Sequence, residues 1–285
     1  MFNYDNAFSR NIGWVTKDEQ KTLQRKRIAI AGCGGVGGEH IVTLARLGIG
    51  AFNIADFDAF EEHNLNRQAG AFSSTIGSAK CQVMRDVALD INPEIYINTF
   101  DKGVFNHNVD AFLDGVDIYI DSLDFFALDA RKCIFNACEQ KRIPIITVAP
   151  LGMGAAFLCF MPDKMSFEEY FRFEDKETEE EQLLQFLIGL SPALLQRDYL
   201  VDRSSADFEA QKGPSLGLSV KLCAGVAAAN VLKILLKRGK VLAAPQGLHF
   251  DGYKNVLKQT HLRSGNRCIL QKIKFKVAKH IVSTD

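Results

Sequence analysis

The stretch Arg27-Ile28-Ala29-Ile30-Ala31-Gly32-Cys33-Gly34-Gly35-Val36-Gly37-Gly38 decides the fold of this chain. Its first half is an apolar run typical of a buried strand, and the glycines that follow are typical of a tight turn. A helical pattern at 39–47 ends at Gly48, and a second strand pattern at 51–55 ends at Asp56. Strand, glycine turn, helix, strand and acid in this order predict the opening unit of a dinucleotide-binding α/β sheet.

This opening unit predicts a nucleotide site at the glycine turn. Glycines let phosphate oxygens approach backbone N–H groups, and the helix N-terminus behind them adds a partial positive charge. Asp56 follows Gly32 by 24 residues, at a strand end where a carboxylate accepts hydrogen bonds from ribose hydroxyls. The pattern indicates a nucleotide without deciding which one. The glycines expected to contact it are Gly32, Gly34, Gly35 and Gly37.

Composition restricts the class of protein. With 285 residues, the chain is long enough for one large α/β domain or for one domain plus a lobe. Lys+Arg and Asp+Glu both number 34, so no global field favours nucleic acid or an acidic membrane. Prolines and glycines interrupt the most apolar window, 143–160, and the N-terminus does not resemble a signal peptide, so we expect no membrane segment. Seven cysteines without a C-x-x-C pair predict a reducing cytoplasm and no structural zinc knuckle.

Alternating strand and helix patterns continue beyond the opening unit. They predict an α/β fold of Rossmann-like type, a mostly parallel sheet with helices on both faces. The expected strands are 94–98, 117–121, 143–148 and 155–161, and the expected helices are one capped by Ser78 and stopped at Asn92-Pro93, then 127–141 and 216–236. Alternating segments at 248–260 and 268–277 predict a terminal antiparallel pair.

Four segments organise the chain in this interpretation. Residues 1–26 form an N-terminal arm and helix, and 27–162 form the nucleotide-binding α/β core. The strand and helix alternation stops at 163–213, which we interpret as an inserted crossover lobe. Residues 214–285 then supply a helix and antiparallel strands that complete the same domain.

Further motifs follow the opening unit in a fixed order. Their order and spacing resemble those of the ubiquitin-activating-like superfamily, the ThiF/MoeB/HesA adenylating proteins. The resemblance is specific over 8–160 and looser over 216–262. Besides the glycine turn and Asp56-Phe57-Asp58, the matching pieces are Ser9-Arg10, Asn64-Leu65-Asn66-Arg67-Gln68, Gly77 to Lys80, Ile91-Asn92-Pro93 and the pair Asp121 and Asp124.

The resemblance implies a reaction in which a carboxylate attacks the α-phosphate of ATP. The products are an acyl-adenylate and pyrophosphate, and the protein supplies charge neutralisation and alignment. By resemblance, Arg67, Lys80 and Arg10 hold the triphosphate and the departing pyrophosphate. The resemblance also implies that Asp124 binds Mg²⁺, a hard cation that prefers oxygen ligands. The other implied nucleotide contacts are Gly35, Asp56, Asp58 and Asn64, the last as a polar clamp.

The resemblance also implies partners. In such proteins the arginine at the position of Arg10 typically reaches into the site of the other subunit, which implies a homodimer. The implied substrate is the C-terminal glycine of a small ubiquitin-fold sulfur carrier. A peptide terminus and the carboxylate of a modified tRNA base, as in a threonylcarbamoyladenosine dehydratase, remain alternatives, although the neutral net charge gives the tRNA no support.

Two departures from the family pattern restrict the reaction. Phe125 follows Asp124 where a polar residue is usual. No cysteine lies between Met161 and Leu222, the segment that carries the thioester-forming cysteine in some relatives, so we expect no thioester relay.

Two other classes of function are compatible with parts of the sequence. An NAD(P)-dependent oxidoreductase would use the glycine turn and Asp56, but it leaves the motifs around Arg67, Lys80 and Asp124 unexplained. A non-catalytic scaffold would not need those three residues. Taken singly, Arg67 and Lys80 are compatible with ordinary surface cations, and Asp121 ranks second to Asp124 as a metal ligand.

Overall fold

A single sheet organises the computed structural model, which describes residues 1–176, 178–202, 205 and 213–282. Its strands are β1 (Arg27–Ala31), β2 (Ala51–Ala55), β3 (Tyr96–Phe100), β4 (Ile118–Asp121), β5 (Ile145–Leu151), β6 (Gly154–Phe160), β7 (Gln246–Asp251) and β8 (Val256–His261). They lie in the order β3-β2-β1-β4-β5-β6-β7-β8. Strands β1 to β5 are parallel, and β6 to β8 add antiparallel pairs. The predicted Rossmann-like sheet with antiparallel C-terminal strands is therefore confirmed.

Helices cover both faces of the sheet, as the alternating patterns predict. Along β1, Ile28 and Ile30 face one apolar core, whereas Ala29 and Ala31 face the other. The helices are α1 (Tyr4–Ala7), α2 (Lys17–Gln24), α3 (Gly35–Leu47), α4 (Lys80–Ile91), α5 (Val109–Phe112), α6 (Leu128–Gln140), α7 (Phe167–Phe171), α8 (Glu179–Leu190), α9 (Gly217–Leu235) and α10 (Ile269–Val282). Helices α3, α4 and α9 enclose the first core, and α5 to α8 enclose the second.

Helix α9 is the longest apolar element of the described chain. It has 19 residues and a mean hydropathy of 1.6, so by length and composition alone it could cross a membrane. Half of its apolar stretch is buried inside the protein. It packs against α3, β5 and β6. These contacts are those of a core helix beneath the sheet.

The prediction of a strand at 268–277 is wrong, because residues 269–277 belong to α10. Gln271 and Phe275, one helical turn apart, are buried, whereas Ile273 and Val277 are exposed. The short alternation of apolar and lysine residues fits the two-residue period of a strand and the 3.6-residue period of a helix. Packing of one helical face on α8 favours the helix. The antiparallel pair is formed by β7 and β8, within 246–261.

Several predicted boundaries shift by a few residues. Helix α3 begins at Gly35 rather than at Glu39, so the last glycines of the turn are already helical. Helix α4 has Ala79 at its N-cap, and no side chain caps it, so the predicted cap at Ser78 is wrong. In the predicted lobe, residues 177, 203–204 and 206–212 lie outside the described part, while α7 and α8 pack on the second core. The division of the chain at 162 and 213 stays a prediction.

Candidate active site

The glycine turn joins β1 to α3 with almost no spare room. Gly32 has a φ of +92°, and a Cβ there would lie 2.1 Å from the carbonyl oxygen of Ser122. A Cβ on Gly37 would lie 1.8 Å from the carbonyl oxygen of Gly32. Helix α3 begins at Gly35, and no side chain caps it. Its first N–H groups therefore have no side-chain acceptor, which suits an anion.

The loop that carries Arg67 runs along the first turn of α3. A Cβ on Gly34 would lie 3.4 Å from the amide nitrogen of Gln68, and one on Gly35 would lie 4.0 Å from Cγ of Arg67. The Nη1 group of Arg67 donates to the carbonyl oxygen of His63 at 2.9 Å. The fold therefore brings Arg67 to the glycine turn.

Asn64 lies in the same loop but is buried. Its Oδ1 accepts a hydrogen bond from the backbone N–H of Glu61 at 3.0 Å, and only 2% of the residue is exposed. This contact closes the short turn that precedes Arg67. In this conformation the side chain of Asn64 stabilises the loop.

The end of β2 carries a cluster of charged side chains. The Oδ2 atom of Asp56 accepts from the backbone N–H of Cys33 at 2.7 Å, and its Oδ1 accepts from that of Asp58 at 2.9 Å. Burial raises the pKa of Asp56, although both hydrogen bonds act in the opposite direction. Lys80 places its Nζ 2.9 Å from Oδ2 of Asp58, with 8% of the lysine side chain exposed. Asp56 therefore contacts the glycine turn, and Lys80 is held next to this acid by Asp58.

The two aspartates after β4 have different environments. Asp121 is buried, and its Oδ2 accepts from Nε of Arg131 at 2.9 Å and from Oγ1 of Thr147 at 3.0 Å. Asp124 is exposed, and its Oδ1 accepts from the backbone N–H of Phe126 at 3.0 Å. Because the intervening Ser122 lies against Gly32, Asp124 is at the same sheet edge as the turn.

Arg10 is not brought to the other candidate residues within one chain. It is exposed in a single 3-10 turn, Ser9–Asn11. The neighbouring Asn11 donates through Nδ2 to the carbonyl oxygen of Leu47 at 3.3 Å. Leu47 is the last residue of α3, whose 13 residues span about 20 Å from the glycine turn.

Two buried side-chain oxygen atoms at the glycine turn have no hydrogen-bond partner among the described residues. They are the Oε1 atom of Gln68 and the Oγ atom of Ser122, both buried. Unpaired buried polar atoms are uncommon, so their presence at the turn fits a polar ligand. Sequence reasoning assigned neither residue, although Gln68 closes the Asn64–Gln68 motif and Ser122 follows the buried aspartate.

The residues present also fit a magnesium ion that arrives with a nucleotide. Among the described residues, no group of three or more His, Cys, Asp or Glu side chains is arranged to hold a metal. Mg²⁺ is commonly bound by one or two carboxylates together with substrate phosphates and waters. The exposed carboxylate of Asp124, beside the turn that would receive phosphates, matches that requirement.

Comparison with known proteins identifies the family. A sequence profile of the ThiF family matches residues 8–268, nearly the whole chain. The chain belongs to the ThiF family. The match extends through the predicted lobe and ends just before α10, so it includes the glycine turn, the Arg67 loop and Asp124.

Two curated relatives of this ThiF-family chain carry different names. A tRNA threonylcarbamoyladenosine dehydratase from Haemophilus influenzae is 33% identical over 151 residues, 53% of this chain and 57% of that protein. An adenylyltransferase and sulfurtransferase MOCS3 from Culex quinquefasciatus is 28% identical over 155 residues, 50% of this chain and 35% of that protein. The chain thus spans about half the length of the first relative and less of the second.

Solved structures match the fold over a larger share of the chain. The crystal structure of E. coli MccB with AMPCPP and selenomethionine MccA has a TM-score of 0.69 to this chain, at 21% sequence identity. The match covers 94% of this chain and 74% of that one. It shows that this ThiF-family chain shares the MccB fold.

Proposed function

We propose that this ThiF-family chain is an Mg²⁺- and ATP-dependent adenylyltransferase that activates a carboxylate as an acyl-adenylate. The observation that carries the proposal is the arrangement around the glycine turn. Arg67 lies beside Gly35, and the loop of Asp124 touches Gly32 through Ser122. A dinucleotide-dependent oxidoreductase would require neither the cation nor the exposed carboxylate.

The proposed mechanism relies on charge and alignment. The uncapped N-terminus of α3 and the guanidinium of Arg67, a residue whose Cγ lies beside Gly35, would neutralise phosphate charge. Lys80 is held by Asp58 beside Asp56, which would accept hydrogen bonds from the ribose. Asp124 would hold Mg²⁺, which would supply further charge neutralisation on the phosphates. The substrate carboxylate is already ionised at neutral pH, so the attack requires no general base.

The proposed substrate is the C-terminal carboxylate of a small sulfur-carrier protein. The Culex quinquefasciatus relative supports this choice, because its name combines adenylyltransferase and sulfurtransferase activities. Equal numbers of acidic and basic residues, 34 each, give no electrostatic reason for a nucleic acid substrate.

The proposed location is the cytoplasm. The free cysteines support a reducing, cytoplasmic location.

A second candidate substrate is the carboxylate of a modified tRNA base. The observation that favours it is the 33% identity to the Haemophilus influenzae tRNA threonylcarbamoyladenosine dehydratase. Both candidates share the adenylation step and the same site residues. They differ in the surface that must dock outside the glycine turn, so substrate-dependent activity separates them.

We propose a homodimer as the working unit. Arg10 is exposed and lies about 20 Å along α3 from the glycine turn of its own chain. A second subunit that faces this arm would receive Arg10 near its own triphosphate. This arrangement would account for an exposed arginine that the family pattern places with the phosphate-binding residues.

Ligand-dependent melting tests the nucleotide choice. Mg·ATP at a hundred times its dissociation constant should raise the melting temperature by about 5 °C, because a ligand that binds only the folded state stabilises it. NADH should give no comparable shift. Arg67→Ala should reduce the shift with Mg·ATP, since it removes a cation beside Gly35. A shift with NADH and none with Mg·ATP would favour the oxidoreductase instead.

The cysteines of this chain should form no thioester with the substrate. Cys159 and Cys223 flank the cysteine-free segment, and both are fully buried. Burial raises the pKa of Cys159 to about 12 and that of Cys223 well above its usual range. A hydrogen bond with Cys81, together with burial, raises the pKa of Cys33 well above its usual range. These thiols should therefore stay protonated and unreactive.

Intact-protein mass spectrometry measures this directly. After incubation with Mg·ATP and a carrier protein, the spectrum should show no enzyme–carrier conjugate. The acyl-adenylate would then pass to an external sulfur donor or amine. A conjugate that dithiothreitol cleaves, and that maps to a cysteine of this chain, would contradict the prediction.

A further inference from the structure

A buried arginine outside the family's phosphate-binding set contacts the whole loop that carries Asp124. Arg131 lies on α6, and 3% of its side chain is exposed. Its Nη2 donates to the carbonyl oxygens of Leu123 at 2.9 Å and Asp124 at 3.0 Å. Its Nη1 donates to the carbonyl oxygen of Phe125 at 3.4 Å. One guanidinium group therefore holds three consecutive peptide units.

The same guanidinium is anchored to the sheet. Its Nε donates to Oδ2 of Asp121 at 2.9 Å. Oγ1 of Thr147 donates to the same oxygen at 3.0 Å. Because Asp121 ends β4 and Thr147 lies on the neighbouring β5, the arginine connects the loop to two paired strands.

Helix α8 covers one face of the Arg131 guanidinium. The ring of Phe186 lies over the guanidinium, with its centroid 4.6 Å from Cζ. The same ring lies 5.5 Å from that of Phe125. Phe125, which follows Asp124 where the family usually has a polar residue, therefore packs on α8 in the predicted lobe. Arg131 is enclosed on this side by an aromatic face, which attracts a cation.

A buried ion pair is weak support for stability, because desolvation opposes its attraction. The geometry of its hydrogen bonds points to a different role for Arg131. A planar guanidinium can donate several hydrogen bonds in fixed directions, whereas a lysine ammonium is a point charge on a flexible stem. The guanidinium of Arg131 donates in these fixed directions to three carbonyl oxygens of the loop and to the carboxylate of Asp121.

We propose that Arg131 is the positioning residue that fixes the Asp124 carboxylate for metal binding. The inference rests on the proposed function, since it takes Asp124 as the ligand of Mg²⁺. With 3% of its side chain exposed, Arg131 is too buried to bind the metal or the nucleotide itself. It acts by holding the carbonyls of the loop, so that the backbone of Asp124 keeps one position relative to the glycine turn.

The test measures Mn²⁺ binding to the protein with the ATP analogue AMPCPP, by electron paramagnetic resonance. Arg131→Lys keeps the positive charge but loses the planar set of N–H donors, and it should weaken Mn²⁺ binding about tenfold. Arg131→Gln combined with Asp121→Asn leaves no unpaired buried charge, so it should fold if Arg131→Lys does not. It should show the same loss. Arg142→Lys, the control, makes the same substitution at an exposed arginine that pairs with Asp163 instead of the loop carbonyls, and its Mn²⁺ affinity should match that of the wild type.

The outcomes separate this inference from the proposed function. Wild-type Mn²⁺ affinity in a folded Arg131→Lys or in the double variant, or an equal loss in Arg142→Lys, would overturn the positioning role of Arg131. The proposed function would remain intact if wild-type protein still catalysed ATP–pyrophosphate exchange. Conversely, wild-type protein that binds Mn²⁺ with AMPCPP but exchanges no pyrophosphate would contradict the proposed function while the comparison of variants still tests Arg131.

Discussion

Asp124→Asn should reduce ATP–pyrophosphate exchange by about a hundredfold to a thousandfold, the range for losing one preorganised charge-stabilising group. The substitution keeps an oxygen that can accept the hydrogen bond from Phe126 N–H, so the loop should keep its shape. What it removes is the negative charge available to Mg²⁺. Circular dichroism and melting temperature should therefore match those of the wild type.

The matched control for this substitution is Asp129→Asn. Asp129 is a fully exposed acid on α6, and its Oδ1 lies 3.9 Å from Nζ of Lys132. An exposed pair at this distance contributes little to stability. Exchange should be unchanged in this control. Full exchange in Asp124→Asn would contradict the metal assignment, because Asp121 is enclosed by Arg131 and Thr147 and cannot replace it.

Arg10→Ala and Asp124→Asn should each be inactive alone but regain activity when their subunits are mixed. If Arg10 serves the site of the partner subunit, a mixed dimer contains one complete site. That site combines Asp124 from one chain with Arg10 from the other. Random pairing makes half of the dimers mixed, so activity should recover to about one quarter of the wild-type value. The measurement is pyrophosphate exchange after co-refolding the two variants.

A second mixture supplies the control. Arg67 lies beside the glycine turn of its own chain, at the same sheet edge as Asp124. Arg67→Ala mixed with Asp124→Asn should therefore recover nothing, because each site of the mixed dimer lacks one residue. No recovery in the Arg10 mixture would show that Arg10 does not act across a dimer.

Much of the fold and of the candidate site follows from the sequence because parallel strands share an edge. The glycine turn follows β1, Asp56 follows β2, and Asp124 follows β4. These strands are neighbours in the sheet, so residues that follow them must meet. Order along the chain therefore predicts proximity in space, provided that the strand patterns are recognised.

Other parts of the site depend on contacts that no local pattern encodes. The start of α9 reaches the glycine turn, where a Cβ on Gly35 would lie 3.3 Å from Val220. Arg131 donates to backbone carbonyls, and every residue type offers a carbonyl. A sequence therefore cannot reveal such partners. The sequence pattern does not predict α10, because short runs of alternating apolar and polar residues fit a strand and a helix equally well.

ATP–pyrophosphate exchange with defined carboxylates tests the central claim most directly. The three substrates are a small ubiquitin-fold carrier with a C-terminal glycine, a peptide with a free C-terminus, and tRNA that carries threonylcarbamoyladenosine. Labelled pyrophosphate should enter ATP with one of them, only when Mg²⁺ is present, and not in Asp124→Asn. The carrier protein is the expected substrate. Absence of exchange with all three, in protein that binds Mg·ATP, would contradict carboxylate adenylation by this chain.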